Sequence, residues 1–224
     1  MEQYNNYFDR QIQLWGISDQ KKLLSKRIVI VGCGGLGCSL GFALGTSGIG
    51  YIDLIDFDKV SISNIHRQLA FKLDDIDKYK CDVLKSTILA KSTFTNINTY
   101  KTDFENFTKL TTNKYDLIID ATDNLEVRTT IDKFCKTNDI PWVYGSVEEF
   151  HGQVCFFENT NFTDIFQIKN HKQKGIATPS VMQIASLQAN LALRFLLDLN
   201  IKKDTLYYLF FDKDGEFIQQ KFFL

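Results

Sequence analysis

The sequence predicts an α/β fold built on a doubly wound, mostly parallel sheet, with an antiparallel extension towards the C-terminus. Three observations carry this expectation. Short β-rich runs alternate with helical patterns from Lys26 to Ser146, and such alternation closes into a parallel sheet through right-handed crossovers. A glycine-rich turn, Gly32-Cys33-Gly34-Gly35-Leu36-Gly37, joins the first run to the first helical pattern. The aromatic tail "LYYLFFDKDGEFIQQKFFL" reads as two strands around Asp212-Lys213-Asp214-Gly215, a hairpin signal.

The elements follow in order. "KRIVIV" (Lys26 to Val31) is a strand, and Gly35 to Ser47 carries small and apolar residues at helical spacing, closed by Gly48 and Gly50. "YIDLID" (Tyr51 to Asp56) is the second strand. Residues Lys78 to Ala90 are helical, "NINTYK" (Asn96 to Lys101) extended, and Asp103 to Leu110 a short helix. "YDLIID" (Tyr115 to Asp120) is another strand, followed by a helix from Asn124 to Thr137 and the strand "PWVYGS" (Pro141 to Ser146). Beyond residue 150, "GQVCFFE" is a strand and Asn159 to Gly175 a polar connection. Thr178 is expected to cap a helix whose first residue is Pro179 and which runs to about Leu199.

The totals exclude several classes. A chain of 224 residues, 44% hydrophobic, can bury one sizeable core, and a net charge of −1 gives no nucleic-acid footprint. No run of 18 apolar residues occurs, and the N-terminal "MEQYNNYFDR" is polar and unlike a signal peptide, so a cytoplasmic protein without membrane association is expected. The five cysteines, Cys33, Cys38, Cys81, Cys135 and Cys155, form no C-x-x-C pair and read as core residues. His66, His151 and His171 lack metal-ligand spacing and are read as surface or packing residues.

The glycine turn matches G-x-G-x-x-G, and its position between strand and helix is Rossmann-like. Gly32 permits the tight turn, Gly34 or Gly35 lets a ligand approach the backbone, and Gly37 allows close helix–strand packing. The helix that follows offers free N–H groups to phosphate. The glycines alone leave three readings open: NAD, ATP or a structural turn. Asp56 lies 19 residues after Gly37, at the end of the second strand, where a carboxylate can accept ribose hydroxyls. Asp58 is read as local turn chemistry, with a share in the same pocket as the alternative. Asn64, Arg67 and Gln68 follow beside Asp56, and Lys80 comes 13 residues after Arg67. Arginine and lysine near a nucleotide suit a triphosphate, the arginine through bidentate contacts. Asp123, just past the strand ending at Asp120, is placed either to hold Mg²⁺ on phosphates or to cap the next helix.

Taken together, "FDRQIQLWG", "VGCGGLG", "DLIDFDKVSISNIHRQ", Lys80 in "DKYKCD" and "DATDN" resemble the ThiF/MoeB/HesA adenylyltransferases, bacterial relatives of ubiquitin-activating enzymes. The similarity continues through "GQVCFFE" and "IASLQANLALRFL". It implies a single adenylation domain over 1–224, with an N-terminal helical arm (1–25), a nucleotide-binding core (26–150) and C-terminal strands, loop and helix (151–224). It also implies ATP- and Mg²⁺-dependent adenylation of a small ubiquitin-like sulfur carrier ending in Gly-Gly, with release of pyrophosphate, for thiamine or molybdopterin biosynthesis. By the same resemblance Gly35 supports the nucleotide and Asp56 takes the ribose. Ser63, Asn64 and Arg67 approach the phosphates, Lys80 stabilises their charge and Asp123 holds Mg²⁺. Arg10 reaches the ATP of a neighbouring subunit in a homodimer. Many members of the resembled family bind zinc through two C-x-x-C pairs, and this chain has neither, so no zinc is expected. The connection "NTNFTDIFQIKNHKQKG" contains no cysteine, so adenylation without a thioester on this chain is expected. Two other readings stand beside this one: a non-catalytic carrier-binding member of the fold, and an NAD-dependent oxidoreductase.

Overall fold

The computed structural model describes residues 2–166 and 174–224. Its strands are β1 (Arg27–Val31), β2 (Tyr51–Ile55), β3 (Asn96–Tyr100), β4 (Leu117–Asp120), β5 (Trp142–Glu148), β6 (His151–Phe157), β7 (Thr205–Phe211) and β8 (Phe217–Phe223). They form one sheet in the order β3-β2-β1-β4-β5-β6-β7-β8. The first five strands pair in parallel, and β5 through β8 pair antiparallel. The expected parallel core with an antiparallel extension is the architecture found.

Helices cover both faces, because the strands alternate apolar residues to each side. Ile28 and Ile30 of β1, Ile52 and Leu54 of β2 and Val154 and Phe156 of β6 pack into one core. That core is closed by α3 (Gly35–Gly45), α4 (Lys80–Leu89) and α8 (Thr178–Leu196). Val29, Val31, Ile118, Trp142 and Phe157 face the other way. There they meet α5 (Phe104–Leu110), α6 (Leu125–Asn138) and α7 (Phe162–Ile165).

Local chemistry sets the helix ends. Asp103 caps α5 by accepting the Asn106 N–H at 2.7 Å. Asn124 caps α6 by accepting from Glu126 and Val127. Thr178 departs from expectation. It is the first residue of α8 and Ala177 the cap, while the Thr178 hydroxyl donates to the His66 carbonyl at 3.1 Å. The helix ends at Leu196, short of Leu199.

The N-terminal helices α1 (Glu2–Tyr7) and α2 (Asp9–Lys22) are fastened by a buried amide. Gln20 accepts from Gln11 and from the Trp15 indole, both at 3.0 Å, and donates to the Ser47 carbonyl at 3.0 Å. Tyr4 and Phe8 pack against Phe94 beside it. All five cysteines are free and buried, as their scatter implied. Burial pushes the Cys38 and Cys155 thiols up to about 12 and Cys81 to about 11. His171 lies outside the described residues.

Candidate active site

The carboxyl ends of β1, β2 and β4 open into a cleft of about 1350 Å³, where ligands bind in sheets of this topology. The glycine turn forms its floor. Gly32 has φ +95°, and a side chain there would bring Cβ to 2.7 Å from the Ala121 carbonyl oxygen. Gly37 lies against the same turn, its hypothetical Cβ 2.1 Å from the Gly32 carbonyl oxygen. Both positions therefore need glycine, one for conformation and space and the other for close approach. Gly34 and Gly35 line the cleft where α3 begins, so the first N–H groups of that helix face the opening.

Asp56 joins this turn to the second strand. Its Oδ2 accepts the Cys33 N–H and its Oδ1 the Asp58 N–H, both at 2.7 Å. Burial raises its pKa above the ordinary carboxylate value, and those two amide bonds oppose the rise. Each oxygen keeps a lone pair for a further donor.

Arg67, Gln68, Lys80 and Asp123 line the same cleft as Asp56 and the glycines. Arg67 donates to the Ser63 carbonyl at 2.8 Å and lies 3.0 Å from His66 Nε2. Gln68 is buried and its Oε1 has no partner among the described residues. Lys80 is also buried, and its Nζ reaches Asp58 Oδ2 at 2.7 Å. Ser63 and Asn64 are not among the lining residues. Ser63 Oγ pairs with Ser61 Oγ, and Asn64 Oδ1 accepts the Ser61 N–H, closing a turn beside the cleft. Arg10 sits on α2, exposed, with its guanidinium on Gln13.

Beneath Asp123 lies an ion pair that the sequence reading did not single out. Asp120 is fully buried at the end of β4, and its Oδ2 accepts from Arg128 Nε of α6 at 2.9 Å. Thr122 donates its N–H and hydroxyl to Asp120 Oδ1. Arg128 Nη2 donates to the carbonyls of Thr122 and Gly145. Burial raises the pKa of Asp120 against the pull of Arg128 and Thr122. Burial alone would lower that of Arg128, but the charge and hydrogen bond of Asp120, together with Tyr144 and Asp123, raise it. The network holds the 120–124 turn, and with it Asp123, at the cleft rim. Its signal was present in the acid-then-arginine spacing of "DATDNLEVR", which places Arg128 on the first turn of a helix capped by Asn124.

Asp58 lines the cleft, the alternative to plain turn chemistry, and His151 lines it without having been expected there. His151 was read as surface or packing, and its ring does stack on Tyr208 and Phe210, but it also lines the cleft, its Nδ1 2.6 Å from the Tyr208 hydroxyl. Nothing local marks it, since the contact joins β6 to β7.

The model of the ThiF family matches residues 8–220, nearly the whole chain. The chain belongs to the ThiF family. This ThiF-family chain is similar to the adenylyltransferase and sulfurtransferase MOCS3 of Caenorhabditis briggsae, 31% identical over an alignment of 199 positions that covers 81% of this chain and 49% of that protein. It is similar to the molybdopterin-synthase adenylyltransferase of Haemophilus influenzae, 30% identical over an alignment of 205 positions that covers 86% of this chain and 84% of that one. The chain thus spans about half the length of the MOCS3 relative and most of the bacterial one. Among solved structures, Escherichia coli MccB with ATP superposes over 96% of this chain and 71% of that one with a TM-score of 0.81 at 21% identity. PaaA does so over 100% and 75% with a TM-score of 0.83 at 22% identity. At those identities the likeness speaks for the fold.

Proposed function

We propose that this chain adenylates the C-terminal glycine carboxylate of a small ubiquitin-like sulfur carrier, using ATP and releasing pyrophosphate. One observation carries the reading: Arg67, Lys80 and Asp123 line the same cleft as the glycine turn and Asp56. Two cations suit the greater charge of a triphosphate better than the pyrophosphate of a redox dinucleotide, and an acid beside them suits the magnesium ion that a triphosphate brings. The names of the relatives from Haemophilus influenzae and Escherichia coli, both molybdopterin-synthase adenylyltransferases, support a molybdopterin carrier over a thiamine one.

In this reading Asp56 holds the ribose, and the start of α3 with Arg67, Gln68 and Lys80 holds the phosphates. Ser63 and Asn64 act through the turn that carries Arg67. The carrier's carboxylate oxygen forms a bond to the α-phosphorus, the bond from that phosphorus to the bridging oxygen breaks, and pyrophosphate leaves with the electron pair. The chain supplies orientation and fixed positive charge, which suffices for a transfer in which the substrate brings its own nucleophile.

The donor set fits magnesium. That ion usually takes one or two protein carboxylates together with substrate phosphates and waters. Asp123 at the rim is such a carboxylate, and among the described residues no cluster of three or more His, Cys, Asp or Glu encloses a metal site. Bound there, the ion would neutralise phosphate charge. The buried, protonated cysteines favour release of the acyl-adenylate to an external sulfur nucleophile over a thioester on this chain. Arg10, exposed on α2, is available to a second copy, and a homodimer with shared sites is part of the proposal.

The test is carrier-dependent exchange of labelled pyrophosphate into ATP, using ubiquitin-like proteins with Gly-Gly tails. Exchange with a molybdopterin-type carrier is expected, and Asp123→Ala or Arg67→Ala should reduce it at least a hundredfold while the fold survives, on the order of one lost transition-state contact. Near-normal exchange in both variants would overturn the assigned roles. Tight ATP binding with no exchange would mark a non-catalytic carrier-binding member instead.

A further inference from the structure

The pairing of Lys80 gives Asp58 a role that local turn chemistry does not explain. Lys80 Nζ lies 2.7 Å from Asp58 Oδ2, with the lysine side chain 9% exposed and the aspartate 53%. The lysine is thus nearly buried, while its counter-ion stands at the open side of the cleft. The two residues are also tied through the backbone, since the Lys80 N–H donates to the Asp58 carbonyl at 3.0 Å. Asp58 is in turn held by its own N–H on Asp56 Oδ1. The carboxylate is therefore not swinging free in solvent. It is fixed between the proposed ribose acid and the proposed phosphate lysine.

We infer that Asp58 is an internal stand-in for phosphate: it occupies Lys80 when the cleft is empty, yields it to the incoming polyphosphate, and reclaims it as pyrophosphate departs. This rests on the proposed adenylation and concerns the same site. The physical reason is competition for one cation. A nearly buried ammonium left without a counter-ion is costly, so Lys80 is paired in every state, either with Asp58 or with phosphate. A ligand must therefore match what Asp58 already supplies, which favours a multiply charged phosphate chain over a singly charged one. The same competition works against the product. Pyrophosphate held by a nearly buried lysine, by Arg67 and by a helix N-terminus would dissociate slowly, and the returning carboxylate weakens that grip.

The test measures inorganic pyrophosphate binding to the full chain by calorimetry, without carrier or turnover. Asp58→Asn removes the competing charge and keeps the side chain's size, and it should bind pyrophosphate about tenfold more tightly, the order expected for deleting one partly screened charge beside the ligand. Asp58→Glu retains the charge and should bind within about threefold of the parent, while Asp58→Ala should follow Asp58→Asn, which covers the case where Asn fails to fold. In exchange assays Asp58→Asn should lower KM for both ATP and pyrophosphate. Unchanged or weaker pyrophosphate binding in both neutral variants overturns the inference, because it would make Asp58 a ligand-holding or purely structural residue. The two readings fail separately. Absence of carrier-dependent exchange counts against adenylation while leaving the pyrophosphate comparison intact, and robust exchange with unchanged affinity counts against Asp58 alone.

Discussion

Replacing Arg128 by methionine tests whether the buried pair beneath the 120–124 turn is held as described. Three contacts disappear at once: Nε on Asp120 at 2.9 Å, and Nη2 on the carbonyls of Thr122 and Gly145. Both members are sealed, the arginine side chain 4% exposed and the aspartate 0%. Methionine fills much of the space, so the loss is electrostatic rather than a cavity. Breaking a buried pair while leaving its partner costs roughly 3–5 kcal/mol, and a stranded carbonyl adds on the order of 1 kcal/mol. That is a large share of the roughly 5–15 kcal/mol by which domains are stable.

The pH dependence has a definite sign. Burial already holds the Asp120 pKa above the ordinary carboxylate value, and without Arg128 it rises further. The folded variant then binds a proton that its unfolded chain releases near pH ~3.9. Its deficit relative to the parent should therefore be greatest at neutral pH and shrink in mild acid. Urea denaturation at the two pH values measures this, with Asp120→Asn/Arg128→Met as the companion. The double variant should lose less than Arg128→Met alone, because no unpaired charge remains. A single-variant loss below about 1 kcal/mol, or one that does not change with pH, would refute the reasoning.

Three further outcomes are expected. Gly37→Ala places a methyl 2.1 Å from the Gly32 carbonyl oxygen. It should cost at least about 1–3 kcal/mol and abolish the thermal shift given by ATP, and a variant with parental melting and ATP response would contradict the close approach. Asp204 accepts the N–H groups of Glu158, Asn159 and Thr160, and these bonds lower its pKa against the effect of burial. Its stabilisation is present above the unfolded carboxylate value and is lost as pH falls through the lowered folded one. Asp204→Asn should thus differ from the parent at neutral pH and converge with it in strong acid, as followed by acid titration of denaturation midpoints. Gln20→Leu removes the acceptor of the half-buried Trp15 indole, while Gln11 keeps its bond to the Ser47 carbonyl, so the cost should be on the order of 1 kcal/mol. The N-terminal helices should loosen, read out as a red shift of Trp15 fluorescence in the background Trp142→Phe.

Much of the site was legible because its members lie in the glycine turn, just past strand ends, or in the run that follows Asp56. The turn from Gly32 to Gly37, Asp56, Arg67, Gln68, Lys80 and Asp123 were all singled out from order and spacing, and Gly32, Gly34, Gly35 and those five side chains line one cleft. A parallel sheet makes this possible, since it delivers every strand's carboxyl end to the same edge. Ser63 and Asn64 sit in the same sequence run, but a short turn sends them away from the lining.

The sequence by itself determined the fold class, the order of the strands and of every helix but α7, which falls in the stretch read as a polar connection, and the family, because these rest on period, turn chemistry and ordered motifs that are local to the chain. Only the tertiary structure decided the pairings. Asp58 meets Lys80 across 22 positions, Arg128 reaches the Gly145 carbonyl across 17, and His151 meets Tyr208 across 57. Charge and hydrogen-bonding capacity are written in the residue, but which partner satisfies them is chosen by the packing that removes water from both. Thr178 shows the same rule at small scale: its hydroxyl suits a helix cap, and in the folded chain it is taken by the His66 carbonyl instead.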